Sequence, residues 1–338
     1  MINGKLRPWG QPSWLFRMPT LNAKAWFLLG CVSTQDRCKA MLLHHQQSLT
    51  IGDCGFVEIA DSASDFSAQS AAKMLSNRHD ISGLAPAQVD FFQIGLLDPL
   101  LRLKKVIDAW IASSNGSVVL DASTFPERFC FPIIRWITEN PAVRNLVITY
   151  MLPEKYTQED LGYDSQDWGQ IPTFVKDDHQ DGEGVEHVIV GVGFLPYSLP
   201  DWLKKTYDTP NFKISLLMPF PAAPSSVNRA WEFVRRIEKD LNLKDDRQII
   251  RVAAHDLCGA YQRIDSITKA GKSPAVFAPY GPKAHSVAMC LHALRYPSEV
   301  YFTQPTYYHP EYSTGIATRN GTPSGYSYLV RLDGGDFY

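Results

Sequence analysis

The chain has 338 residues, of which 45% are hydrophobic and 20% are charged, a composition typical of a globular protein and not of a disordered or fibrous one. Lys and Arg number 33 against 35 Asp and Glu, so no overall positive field is present to hold a nucleic-acid backbone. Nucleic acid is therefore expected only at a local patch. The length suits one large or two ordinary domains.

The cysteines and the apolar segments indicate a soluble, cytoplasmic protein. The six cysteines are scattered and contain no CxxC pair, which is typical of reduced thiols and argues against a zinc site. No segment approaches the ~20 apolar residues that span a bilayer, and the first residues lack the apolar core of a signal peptide. We expect no metal, no cofactor and no membrane partner.

Apolar runs of strand length recur through the first half of the chain and alternate with helical patterns. The predicted strands are 25–30, 55–59, 117–120 and 146–150, and the predicted helices are 35–45, 98–113 and 127–139. Pro126 suits the start of the third helix, with Ser123 or Thr124 as its cap. This half is predicted to be Rossmann-like and to cover residues 1–155.

The segment 156–186 is rich in Asp, Gln and Gly and predicts an exposed polar insertion or linker. The alternation then resumes over 187–338. Predicted strands lie at 187–191, 213–218, 248–252, 275–278 and 299–303, with helices at 226–241, 256–270 and 283–294. The whole pattern predicts an α/β fold with a mainly parallel sheet and helices on both faces, built as two Rossmann-like halves or as one continuous sheet.

In parallel α/β sheets, ligands bind outside the carboxyl ends of the strands, where helix N-termini gather. Three groups of polar residues follow predicted strands, and we expect them to form one crevice for a phosphate-bearing ligand. They are Ser33, Thr34 and Arg37; Asp121, Ser123 and Arg128; and Tyr280, Gly281 and Lys283. Helix capping by the hydroxyls and an Asx turn at Asp121 are the structural alternatives.

The third group suits a phosphate because glycine permits close backbone approach and a lysine at a helix start adds a charge beside free N–H donors. A solvated Lys after a helix-starting proline is the alternative there. The chain has no GxxxxGK[ST], GxGxxG, GxSxG or HExxH motif. The catalytic residues, if any, are thus unknown from sequence.

A first strand that ends in a Ser/Thr loop, with a later strand, a Gly-x-Lys turn and an apolar helix, resembles the CRISPR-associated Rossmann-fold (CARF) sensor domains of prokaryotic defence systems. In that family the turn usually reads Gly-Gly-Thr-Lys and helps to hold oligonucleotide signals. The matching residues here are Tyr280-Gly281-Pro282-Lys283, with proline in place of threonine. The chain shows no helix-turn-helix or nuclease segment, so the resemblance implies that an effector activity comes from a partner.

Two main functions follow from these patterns. The first is a nucleotide or phosphorylated-ligand sensor that relays binding to a protein partner, or within a homo-oligomer, in a prokaryotic multi-protein system such as antiviral defence. The second is an enzyme that acts on a nucleotide or nucleoside with Asp121 at the active site. A scaffold subunit with a vestigial pocket is a third reading, because fold alone does not define function.

Overall fold

The computed structural model describes residues 9–45, 49–174, 185–197, 199, 201, 203, 213–220, 224–241 and 247–338. Its contacts divide the chain into two compact units, one of Met1–Asp164 with Pro305–Tyr338 and the other of Ser165–Gln304. The residues from Pro305 onward thus pack with the first unit, whereas the sequence pattern had grouped them with the second half. No local pattern reveals such a pairing between the two ends of a chain.

The first unit begins with eight strands and a set of helices. The strands are β1 Trp9–Gly10, β2 Ala25–Val32, β3 Thr50–Ala60, β4 Val89–Gly95, β5 Ser117–Asp121, β6 Asn145–Met151, β7 Lys155–Tyr156 and β8 Gly162–Tyr163. The helices are Pro12–Leu15, Pro19–Asn22, the 3₁₀ turn Asp36–Lys39, Ala40–His45, Ser67–Leu84, Leu101–Ser113 and Glu127–Glu139.

The second unit contains six strands and three helices within its described residues. The strands are β9 Gly169–Gln170, β10 His187–Gly191, β11 Lys213–Pro219, β12 Arg247–Val252, β13 Ala275–Pro279 and β14 Glu299–Phe302. The helices are Pro224–Leu241, Leu257–Ile267 and Lys283–Arg295.

The chain then returns to the first unit through six further strands. These are β15 Tyr307–Tyr308, β16 Ser313–Thr314, β17 Thr318–Arg319, β18 Thr322–Pro323, β19 Gly325–Leu332 and β20 Gly335–Asp336.

The main sheet of the first unit has the order β1-β19-β6-β5-β2-β3-β4. Strands β2 to β6 are parallel, while β19 pairs antiparallel with β6. The chain builds β3 and β4 on one side of β2 and then reverses to build β5 and β6 on the other. The topological switch point of this Rossmann-like sheet therefore lies between β2 and β5.

The sheet of the second unit repeats this order as β12-β11-β10-β13-β14-β9, with β10 to β14 parallel and β9 antiparallel at the edge. The predicted parallel sheet and the three predicted helices are confirmed. Near-continuous apolar strands such as His187–Gly191 are buried on both faces, as expected for a parallel sheet covered by helices. Its switch point lies between β10 and β13.

The segment expected to be a polar insertion is partly structured. Within the described part up to residue 174 it supplies β7, β8 and β9, and it buries Leu161, Ile171 and Phe174. The expectation of a wholly exposed segment is wrong for these three side chains. Residues 175–184, with the acidic DDHQDGEG run, lie outside the described residues.

None of the described helices is long and apolar enough to cross a bilayer. All six cysteines are free thiols; five are buried, and Cys258 is half-buried. Burial raises the pKa of both Cys38 and Cys54 to about 12, so these thiols stay protonated and serve as small apolar side chains.

Candidate functional site

At the first switch point, the loop after β5 makes hydrogen bonds to the end of β2, to Asp121 and to the end of β6. The Thr124 hydroxyl donates to the Cys31 carbonyl at 2.9 Å. The Ser123 N–H donates to Asp121 Oδ1 at 3.1 Å, and the Ser123 hydroxyl donates to the same oxygen. The Ser123 oxygen in turn accepts the Met151 N–H at 2.7 Å. The carboxylate therefore ties down its own loop as an Asx turn.

The predicted hydroxyl caps are not formed. The N-cap residue of helix Glu127–Glu139 is Pro126, which has no side-chain cap, because Ser123 and Thr124 are already engaged as described. After β2, the Ser33 hydroxyl accepts the Gln35 N–H at 3.3 Å, but the following 3₁₀ turn has Gln35 as its N-cap residue, without a side-chain cap. Thr34 is half-buried.

Arg37 is only 4% exposed and is held entirely by neighbouring protein groups. Its Nε and Nη2 donate to Gln35 Oε1 at 3.0 and 2.8 Å, and its Nη1 donates to the Met151 carbonyl at 3.2 Å. The guanidinium also lies 5.3 Å from the ring centre of Tyr150 and 5.7 Å from that of Tyr156. Burial works to lower the pKa of Arg37, but the two tyrosines outweigh it and raise that pKa.

A pair of short strands, β7 and β16, covers Arg37 and its neighbours at the first switch point, and we call this pair the strap. Tyr156 of β7 accepts from Arg37 Nη1 at 3.4 Å. The Ser313 hydroxyl of β16 donates to Gln35 Oε1 at 2.7 Å, and the Gly315 N–H donates to Asp36 Oδ2 at 2.8 Å. The first switch point is thus occupied by the protein's own polar groups.

Arg128 lies at the edge of this region and holds the loop after β4. Its Nη2 donates to the Leu97 and Asp98 carbonyls, both at 3.2 Å. Burial lowers the pKa of Arg128.

Enclosure also affects the titration of Asp121, whose side chain is 3% exposed. Burial raises its pKa from 3.8 to about 6, opposed by the hydrogen bonds from Ser123. The folded protein thus holds a proton that the unfolded chain has already lost at pH 5. Ionisation between about pH 4 and 6 therefore costs folding free energy.

We expect the Asp121→Asn variant to become more stable, relative to wild type, as pH rises from 4 to 7. The gain should approach about 3 kcal/mol, because Asn keeps the oxygen that accepts from Ser123 and carries no charge. Urea unfolding of both proteins across this pH range measures it. Asp53→Asn, which removes an exposed carboxylate of the same unit, is the charge-matched control. A stability difference that does not vary with pH would contradict the expectation.

The second switch point is built differently, from glycines. A Cβ on Gly191 would lie 2.8 Å from the Gly281 nitrogen, and one on Gly281 would lie 3.1 Å from the Gly191 Cα. A Cβ on Gly193 would overlap the Tyr280 carbonyl oxygen. The loops after β10 and β13 therefore touch backbone to backbone, and no side chain at these positions fits between them.

The helix Lys283–Arg295 begins directly beside this glycine contact. Pro282 is its N-cap residue and provides no side-chain cap, and Lys283 is the first helical residue and is half-buried. The first N–H groups of the helix, the positive end of its dipole and the lysine charge therefore lie at the carboxyl end of β13.

The Tyr280 side chain does not serve as a phosphate contact, because its ring lies in an aromatic cluster. Its ring centre lies 5.2 Å from that of Phe302 and 5.7 Å from that of Trp168. Its hydroxyl donates to the Thr303 hydroxyl at 3.0 Å. Burial raises the pKa of Tyr280, so the phenol is neutral and structural, and its backbone is the part beside Gly193.

A buried histidine adds a polar atom to the same helix start. His285 is fully buried, and its Nε2 lies 3.0 Å from the Ala253 carbonyl oxygen, which can only accept, so Nε2 carries the hydrogen. Burial lowers the pKa of His285 to about 4, so the ring is neutral at pH 7. Its Nδ1 is then a lone-pair acceptor, and it has no hydrogen-bond partner among the described residues.

The structure brings Ser33, Arg37, Asp121 and Ser123 together in the first unit, with Arg128 near the same strand ends. It places Tyr280, Gly281 and Lys283 together in the second unit. A single crevice formed by both groups stays a prediction. The sequence patterns did not predict Gly191, Gly193 or His285 as site residues, although the Gly-Val-Gly that ends the run HVIVG is a signal for the two glycines.

No family model matches the chain, and no curated protein is similar to it. Among solved structures, a protein of Pseudomonas aeruginosa UCBPP-PA14 named as a universal stress protein is 12% identical, with a TM-score of 0.27, and covers 83% of this chain and 94% of its own. A universal stress protein of Archaeoglobus fulgidus DSM 4304 is 10% identical, with a TM-score of 0.24, and covers 82% and 96%.

A functionally unknown protein of Pseudomonas aeruginosa PAO1 is 11% identical, with a TM-score of 0.25, and covers 83% of this chain and 93% of its own. The strand order within each sheet, and not these similarities, defines the Rossmann-like α/β fold class. The CARF resemblance stays a prediction. In the described ranges, no three His, Cys, Asp or Glu side chains converge as metal ligands would.

Proposed function

We propose that the protein binds a phosphorylated, nucleotide-like ligand at the switch point of its second unit. One observation carries the proposal: glycines from the β10 and β13 loops meet where an uncapped helix begins with Lys283. Free helix N–H groups and a dipole that favours negative charge form a common anion site in folds of this order.

The chemistry of the loop favours phosphate over a neutral ligand. Glycine lets a ligand approach the backbone, so that N–H groups can donate directly to phosphate oxygens. Lys283 adds a positive charge that suits a phosphate group.

The first switch point is a weaker candidate for the same ligand. Its loops carry side chains that already hydrogen-bond to each other, and the strap covers Arg37 and Gln35. A ligand there would have to replace these contacts, whereas the glycines at the second switch point carry no side chains.

The sensor function would relay binding to a partner in a prokaryotic multi-protein system, with antiviral defence as its setting. This part of the proposal is supported by the CARF-like turn Tyr280-Gly281-Pro282-Lys283 alone. The helix that this turn begins is buried from Ala284 to Ala293, so a ligand that moves its first turn must also move the core packed around it.

Asp121 favours the alternative of an enzyme acting on a nucleotide, since a buried carboxyl with a raised pKa is a feature of many active sites. Asp121→Asn should abolish turnover in that case. The enzyme alternative is contradicted if mass spectrometry shows that a bound nucleotide is released chemically unchanged after prolonged incubation with wild type.

The Lys283→Ala variant should bind a phosphorylated ligand about tenfold to a hundredfold more weakly than wild type. The loss corresponds to one charge-assisted hydrogen bond, about 1.5 to 3 kcal/mol. Calorimetric titration with a panel of mono-, di- and triphosphate nucleotides and inorganic phosphate measures the loss.

Lys272→Ala is the matched control, because Lys272 is exposed in the same unit and precedes β13 at the opposite end of that strand. Thermal melts verify that both variants fold. Equal affinities of wild type and Lys283→Ala for a nucleotide that binds would remove Lys283 from the site.

A further inference from the structure

A group of aromatic side chains lies together on the surface of the first unit, and we call it the aromatic patch: Phe66, Tyr163, Tyr307 and His309. Tyr163 and Tyr307 face each other across the antiparallel pair β8–β15, with ring centres 5.3 Å apart and planes at 15°. The Phe66 ring lies 5.8 Å from Tyr163 and 5.2 Å from His309. All four residues are half-buried and thus remain partly open to solvent.

Four carboxylates lie next to the residues of this patch in the chain. Asp65 and Asp164 adjoin Phe66 and Tyr163 in the chain, and Glu159 and Asp160 precede β8; all four are exposed. Burial and then the charges of Asp160 and Glu159 raise the pKa of Tyr163. Burial and then Asp164 and Asp65 raise that of Tyr307. These carboxylates are therefore close enough for their charges to act on the rings.

One cation near this patch is already engaged by other groups. Lys73 lies nearby, but it pairs with Glu311 at 3.5 Å and donates to the Pro310 carbonyl at 3.3 Å. Within the part of the chain that the structure describes, no salt bridge includes Asp65, Asp160 or Asp164.

We propose that the aromatic patch and its carboxylates bind an arginine-bearing segment of a partner protein. A guanidinium stacks on tyrosine faces through cation–π contact and pairs with carboxylates through its planar fork. Four carboxylates repel nucleic acid and anionic lipid headgroups. Lysine fits less well, because its ammonium is more strongly hydrated and lacks the flat face that stacks on a ring.

The test uses the whole protein and three labelled peptides of equal length, in which glycines alternate with Arg, Lys or Glu, in fluorescence anisotropy at low salt. The Arg peptide should bind most tightly, and the Glu peptide should not bind. The double variant Asp65→Asn/Asp164→Asn should weaken Arg-peptide binding about fivefold or more. Tyr307→Leu should weaken it about two- to fivefold, while Tyr307→Phe, which keeps the ring, should preserve it.

Matched controls separate the patch from general charge and from misfolding. Asp53→Asn/Asp90→Asn removes two exposed carboxylates elsewhere in the unit, and Trp14→Leu removes an aromatic side chain that is 54% exposed. Neither should change affinity, and all variants should melt within a few degrees of wild type.

Three results would overturn the proposal. Equal binding of the Arg and Lys peptides, together with an unchanged affinity in Tyr307→Leu, would mean charge attraction alone. An effect of the control pair as large as that of Asp65→Asn/Asp164→Asn would mean the same. Concentration-dependent self-association abolished by Tyr307→Leu, without Arg-peptide binding, would make the patch a contact between copies of the chain.

Discussion

The Arg37→Met variant should be about 3 to 5 kcal/mol less stable than wild type. Methionine fills much of the same volume, but it leaves Gln35 Oε1 and the Met151 carbonyl without the donors that Arg37 supplies at 2.8 to 3.2 Å. Hydrogen bonds to a charged group are worth about 1.5 to 3 kcal/mol each and are not additive, and buried acceptors left without donors add a desolvation cost.

Urea unfolding followed by tryptophan fluorescence measures this loss. Arg135→Met is the matched control, since the Arg135 side chain is 34% exposed and pairs with Glu139 at 2.7 Å in the i,i+4 spacing, a contact worth about 0.3 to 0.5 kcal/mol. If Arg37→Met is as stable as the control and instead loses nucleotide affinity, Arg37 serves a ligand and the first switch point is the site.

Gly193→Ala should have the largest effect on ligand binding, with a loss of more than about a hundredfold in affinity. The added Cβ would overlap the Tyr280 carbonyl oxygen, so the β10 and β13 loops must separate and displace the start of the helix Lys283–Arg295. Overpacking of this kind also costs about 1 to 3 kcal/mol of stability.

The control is Gly169→Ala in the same unit, where the added Cβ would meet no heavy atom within 4 Å. That change should be neutral or slightly stabilising, because alanine restricts the unfolded chain. Gly191→Ala, with its Cβ 2.8 Å from the Gly281 nitrogen, gives a milder second variant if Gly193→Ala does not fold. Binding of the same nucleotide by wild type, Gly191→Ala and Gly193→Ala with equal affinity would place the site elsewhere.

The parallel sheets could be predicted because their strands are short apolar runs followed by amphipathic helices. Several elements of the first unit escaped that pattern, among them one long helix and one strand of the main sheet. The helix Ser67–Leu84 buries only Ser70, Asn77 and Ile81, so it lacks an apolar stripe, and β4 is a half-buried edge strand. The position of β19 beside β6 depends on pairing between distant parts of the chain, which local periodicity does not encode.

The positions of the candidate residues at the strand ends could be predicted from the sequence, but their contacts could not. Polar residues after β2, β5 and β13 do lie at strand ends, as parallel topology requires. Gln35 accepts a hydrogen bond from Ser313, which lies 278 residues further along the chain. No local sequence pattern contains this information. The glycine contact is hard to predict from sequence, because polar side chains indicate a ligand site whereas close backbone approach is marked by their absence.

The two parts of the first unit lie on either side of the second in the chain, and this order governs how the protein is made. The ribosome synthesises Ser165–Gln304 before β19, so one edge of β6 remains unpaired while the second unit is made. Domains generally fold as units during synthesis, and an unpaired edge strand invites association with other chains. We therefore expect nascent chains that end before Gly325 to show protease protection in the second unit first, with the first unit dependent on chaperones until its last strand emerges.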